Sequence, residues 1–162
     1  MGHNQMKRKS MTKEERREML KKMKSESEER TRERFARIDK EVAIVDRRLH
    51  ELGLKGKDFE EFLPRYAPLS PTVIETMLTL LPELQYERVQ ESIIRALLYS
   101  DGGFDGRPIV DCFNNTYDEG LRWAIINTIA CARPKPHSID EWIEEKLEHP
   151  YWGETLRNLG YK

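Results

Sequence analysis

The residues with the broadest chemical reach are four histidines, His3, His50, His137 and His149, and two cysteines, Cys112 and Cys131. No histidine stands three or four positions from another histidine or a cysteine. That spacing would put two ligands on one helix face, so no metal motif is written here. His149 follows Glu145 by one helical turn, a weak pair. The cysteines fall in segments that read as facing helices of one unit, where small core residues are expected. No Gly-x-Ser-x-Gly elbow announces a serine nucleophile. The loop Asp101-Gly102-Gly103-Phe104-Asp105-Gly106 has glycines that could cradle a phosphate ahead of a helix, and aspartates that could hold calcium. A phosphate loop requires a preceding strand, and here a helical pattern precedes; the calcium-loop spacing is also missing. The segment reads as a connection between helices. The sequence therefore predicts no catalytic residue, no metal and no cofactor.

The elements around these residues are helical. Positions 12–52 lack Gly and Pro and are rich in Glu, Lys, Arg, Met and Leu, all strong helix formers. Thr12 ahead of Glu14 and Glu15 reads as an N-cap, and Gly53 as a C-terminal stop. Apolar residues recur at Phe35, Ile38, Val42, Val45, Leu49 and Leu52, a heptad seam. Before Phe35 the seam lapses. The prediction is a charged N-terminal helix over 1–52, solvated or flexible over 10–34 and docked over 35–52. Ala43 and Ile44 widen the stripe, which favours packing on a globular body over a coiled-coil homodimer. Residues 53–70 form a connector with a short helix capped by Asp58. From 71 onward, prolines open and glycines or prolines close a series of apolar helices, ending with one capped by a Ser138–Glu141 box and a last one closed by Gly160. The fold class is all-α.

Charge is unevenly placed. Residues 1–34 hold 12 Lys/Arg and 7 Asp/Glu; residues 35–162 hold 16 and 22. A basic leader thus precedes an acidic body. No apolar run is long enough for a membrane span, and MGHNQMKRKS has no apolar stretch behind its lysines, so a cytoplasmic protein without a membrane partner is expected.

The second helices of three successive pairs align at Val89-Gln90, Leu121-Arg122 and Leu156-Arg157, 32 and 35 residues apart. Such a period suits stacked helical units that cannot bury their faces alone. The middle unit, Asp118-Glu119-Gly120-Leu121-Arg122 followed by Ile125 and Ile129, resembles the HEAT repeat. The likeness is best over 107–132 and covers roughly 70–159. The first unit departs from it with Glu87 and Gln90, and the last is truncated. The resemblance implies a short right-handed α-solenoid of about three helix pairs over 71–162. It also implies a concave surface lined by the second helices. That surface would present Glu87, Arg88, Glu91, Arg95, Arg122 and Arg157, with Asp118 and Arg122 as an i, i+4 ladder.

Three functions follow as expectations. The first is a non-enzymatic adaptor that binds another protein through this mixed-charge surface. The second is nucleic-acid association through the basic leader, including Lys7, Arg8 and Lys9. Interspersed acids and the lack of an aromatic before Phe35 count against it. The third is a divergent enzyme of the glycosylase or lyase type found among HEAT-like proteins, for which the body's acidic balance has the wrong sign for a phosphate track.

Overall fold

The computed structural model describes residues 11–162, so His3, Lys7, Arg8 and Lys9 lie outside the described residues. The described chain is all-helical, with α1 (Lys13–Glu51), α2 (Phe59–Phe62), α3 (Pro71–Leu80), α4 (Glu87–Ala96), α5 (Arg107–Asn115), α6 (Glu119–Ala132), α7 (Asp140–Glu148) and α8 (Trp152–Asn158). Short 3-10 turns extend α2, α3 and α4. No strand forms among the described residues; Leu69 and Ser100 make an isolated parallel bridge. No described helix is long and apolar enough to cross a membrane.

The chain divides into two units, 1–37 and 38–162. In the first, every residue from 11 to 37 is exposed. Its helix begins with a reciprocal cap: Thr12 Oγ1 accepts the Glu15 N–H at 3.2 Å and Glu15 Oε2 accepts the Thr12 N–H at 2.8 Å. Lys22–Glu26 and Lys24–Glu28 pair at i, i+4 spacing, both at 4.0 Å. Such exposed pairs add tenths of a kcal/mol each, so this segment is helical chiefly by propensity.

The second unit holds one core. From α1 it takes Val45 and Leu49, fully buried, with Ile38 and Val42 half-buried against them. Of the remaining seam residues, Phe35 is 61% exposed and Leu52 39%. Gly53, at φ +90°, ends α1 in a Schellman turn: Leu54 N–H reaches Leu49 O at 3.2 Å and Gly53 N–H reaches His50 O at 2.9 Å. Leu54 and Leu49 are both buried in the core. Phe59, Phe62 and Leu63 of the connector are also fully buried. α6 packs against α4, α5 and α8, α3 packs against α5, and α7 packs against α8. Leu121, Ile125, Ile126 and Ile129 of α6 are fully buried, which an apolar pattern on nearly all sides requires.

Trp123 is half-buried at the margin of the core, with its indole Nε1–H donating to Tyr151 Oη at 2.9 Å. Two local expectations are corrected. Cys131 is exposed and Cys112 half-buried, so only the latter resembles a core residue. Ser138 does not cap α7. Its hydroxyl instead accepts Gly106 N–H at 3.3 Å and donates to Lys135 O at 2.8 Å, and the N-cap position belongs to Ile139. A tertiary partner thus outcompetes the local box.

The contact between α7 and α8 depends on Gly153. A Cβ there would lie 2.2 Å from Leu147 O and 2.8 Å from its carbonyl carbon, both backbone atoms that cannot turn aside. Gly153→Ala is expected to lower stability by about 1–3 kcal/mol through this overlap, read as a drop in thermal midpoint.

Candidate functional site

The charged residues nominated from the sequence on α4 line two different grooves. Arg88, Glu91 and Arg95 face a groove of about 510 Å³ between α2 and α4. Arg88 forks onto Glu60, Nη1 to Oε1 at 2.9 Å and Nη2 to Oε2 at 3.2 Å, and also donates to Ser92 Oγ at 2.6 Å. The buried Ser92 hydroxyl donates to Glu60 as well. Arg95 Nη2 pairs with Glu91 at 2.7 Å, one turn apart on α4. Leu63, Ala96, Leu98 and Tyr99 supply the groove's apolar wall, with Leu98 46% and Tyr99 41% exposed.

Glu87 lies elsewhere. It lines a groove of about 640 Å³ with Pro82, Gln90, Asp111 and Cys112. Gln90, in the position where the HEAT pattern favours Arg, donates to Leu84 O at 2.9 Å and so ties the start of α4 to the preceding turn. Arg157 Nη1 donates to Leu147 O at 2.7 Å and satisfies a carbonyl near the end of α7. Arg122 forms no ladder with Asp118. The Asp118 carboxylate caps α6 by accepting Leu121 N–H at 2.7 Å, and the Arg122 guanidinium lies over the ring of Phe113, 5.0 Å from its centroid.

The glycine-rich loop is held by backbone bonds. Gly103 N–H reaches Arg133 O at 3.1 Å and Lys135 N–H reaches Phe104 O at 2.7 Å. Together with α3 it walls a groove of about 470 Å³. Asp105 is occupied by Arg107, Oδ2 to Nη2 at 2.6 Å, and this hydrogen bond holds its carboxyl below the usual carboxylate range. The pair's contribution is whole above the ordinary carboxylate pKa and is lost as pH falls through the lowered one; both side chains are well exposed, so it is small. No group of three or more His, Cys, Asp or Glu that could hold a metal occurs among the described residues. His50 Nε2 donates to Gly56 O at 2.6 Å and its ring stacks on Phe62. His149 Nδ1 accepts the N–H groups of Tyr151 and Trp152 at 3.1 and 3.3 Å and so caps the start of α8.

The two thiols differ in chemistry. Burial pushes the Cys112 thiol up to about 11. At pH 8 its thiolate fraction is then about one in a thousand, and the thiolate is the reactive form. Ellman's reagent at that pH is expected to modify one thiol quickly, and Cys131→Ser should abolish the fast phase.

A second cluster was missed in the sequence. Phe113, Trp142, Trp152, Trp123 and Tyr151 form a chain of edge-to-face rings at 4.7–5.8 Å across α5, α6, α7 and α8. Two cations, Arg122 and Lys146, lie against it. The aromatic residues were legible as apolar helix positions, but nothing in their spacing announced that four helices bring them together. Glu60 and Ser92 were likewise unmarked, since their partnership joins positions 32 residues apart.

Compared with protein-family models, curated proteins and solved structures, the chain gives no match.

Proposed function

We propose that the chain is a non-enzymatic protein-binding module: a short right-handed α-solenoid of HEAT-like helix pairs that takes a partner protein in the groove between α2 and α4. The solenoid reading is supported by the packing of α6 between α4 and α8, the second helices of successive pairs. The partner reading rests on one observation: Leu98 and Tyr99 stand exposed beside ion pairs that are already internally satisfied. An apolar centre with a polar, self-paired rim is the anatomy of a protein interface. Covering each of those two side chains contributes about 1–2 kcal/mol, whereas the rim pairs chiefly fix orientation and partner choice. Arg88 and Glu60, locked by two parallel hydrogen bonds, present that rim without further loss of side-chain freedom.

The test uses the full chain and a Leu98→Asp/Tyr99→Ser variant. Proteins retained from native lysate by the parent are identified, and the recovered partner's affinity is measured by calorimetry for both chains. The expected result is at least tenfold weaker binding by the variant at unchanged helical circular dichroism. Equal affinity would remove the groove from the account.

A further inference from the structure

Arg122 has no counterion among the described residues. Its guanidinium carbon lies 5.0 Å from the centroid of Phe113 and 5.9 Å from that of Tyr117, and its Nε is buried without a hydrogen-bond partner among the described residues. Asp118, the carboxylate one turn before it, is committed to the α6 cap. Lys146 comes to the same ring: its Nζ is 5.3 Å from the centroid of Phe113 and 5.8 Å from that of Trp142, with its side chain only 13% exposed. Its one carboxylate partner is Glu145, at 2.8 Å and largely in solvent. Trp142, 7% exposed, also keeps a buried Nε1–H with no acceptor among the described residues. Two cations and two unused buried donors therefore gather around Phe113, while among the described residues one exposed carboxylate, Glu145, answers them. Burying charge and donors in this way is unfavourable unless something answers them from outside.

We propose that this cluster is a second partner site, distinct from the α2–α4 groove, that anchors an acidic side chain of a partner protein. The Arg122 guanidinium is stacked on rings and buried at Nε, which leaves its terminal nitrogens as a fork for one carboxylate, the bidentate geometry that arginine serves best. Lys146 adds a second positive charge at the same ring. Tyr117, 94% exposed, and the half-exposed Tyr151 and Trp123 provide aromatic surface for apolar neighbours of that acid. An extended polyanion fits poorly. Residues 35–162 carry 22 acidic side chains against 16 basic, which repels a run of phosphates but tolerates one carboxylate beside a local pair of cations. The occupant is thus a segment with an isolated Asp or Glu between apolar or aromatic residues.

The test is a titration of the ¹⁵N-labelled full chain with an equimolar library of acetylated, amidated hexapeptides. These carry Glu at one fixed position and Leu, Ile, Val or Phe at the others. A matched library with Gln in place of Glu, and a twenty-nucleotide oligothymidine, serve as comparison probes. The expected result is saturable movement of the Arg122 Nε–H and Trp142 indole resonances with the Glu library alone, with at least tenfold weaker binding for Arg122→Gln and for Lys146→Gln. Arg122→Met keeps the stem without the charge and should bind as weakly as Arg122→Gln while its thermal midpoint holds or rises, as removal of an unanswered buried cation implies. No movement at millimolar peptide, equal movement with the Gln library, tighter binding of the oligonucleotide, or a midpoint that falls sharply in Arg122→Met would each overturn the proposal. The Leu98→Asp/Tyr99→Ser variant should give the same titration as the parent, so failure of the groove reading and failure of this one are told apart.

Discussion

Ile125→Ala is expected to lower the unfolding free energy by about 3–4 kcal/mol, measured by guanidinium denaturation with an unchanged m-value. Ile125 is fully buried in α6, which is covered by α4, α5 and α8. Deleting three carbons there removes their transfer free energy and leaves a cavity. The cost of the cavity depends on how far the surroundings can collapse. A helix covered by three others has little room to close the gap, which places the expectation in the upper part of the range for such truncations. The neighbouring Trp123→Ala provides the comparison. It removes more atoms, yet the indole is only half-buried and its Nε1–H bond to Tyr151 lies near solvent, so about 2 kcal/mol is expected. The order of the two effects is the informative quantity. A larger loss at Trp123 than at Ile125 would mean that α6 turns its other face to the core.

That comparison also marks what periodicity can and cannot reveal. An apolar pattern on nearly all sides of α6 announced that the helix would be covered, and it is. It could not grade the faces, because Trp123 and Ile125 satisfy the same pattern while their burial depends on where α8 lies. The helices themselves were legible, since Pro71, Gly53 and Gly160 act through their own backbone conformation and need no distant partner. Caps made by neighbours in sequence were legible where nothing competed: Thr12 with Glu15, and Asp58 with Glu60 N–H. Ser138 shows the failure. Its hydroxyl had a local option in the Glu141 box and a distant one in Gly106 N–H, and the distant one won. Arg122 failed in the same way, since a ring nine residues earlier offered a face where the repeat pattern offered a carboxylate. The nominated residues dispersed because sequence neighbours on α4 divide between different grooves: Glu87 lines one with Gln90, and Arg88 the other with Ser92. Helical period places a side chain around its own axis. It does not say which neighbour that direction meets.

Glu41 is the strongest case of a long-range partnership, and its removal should be correspondingly costly. It is buried in the last third of α1, where one carboxylate in a long charged helix would attract no notice. Its two oxygens accept the N–H groups of Gln85 and Tyr86, at 2.6 and 3.1 Å, across 44 and 45 residues. Tyr86 is the N-cap position of α4, and no side chain of its own caps that helix. Glu41 thus accepts the N-cap N–H from a distance, the part that a Glu in the first turn plays in a capping box, and places negative charge at the positive end of the helix. Hydrogen bonds to an ionised acceptor contribute about 1.5–3 kcal/mol each, and deleting the acceptor strands two donors in a buried place. Glu41→Ala is therefore expected to cost about 3 kcal/mol. Glu41→Gln separates the causes. Its amide oxygen still accepts one N–H, while its NH₂ meets the other donor with a donor, so it should lose much of the stability despite nearly equal volume. Hydrogen exchange gives the local readout: the amides of Gln85 and Tyr86 should lose protection in both variants while those of Ile125 and Ile129 follow global stability alone. If Glu41→Gln matched the parent in both stability and exchange, the carboxylate would be filling space there, and α4 would have to take its N-terminal order from the Gln90 side-chain bonds to Leu81 O and Leu84 O instead.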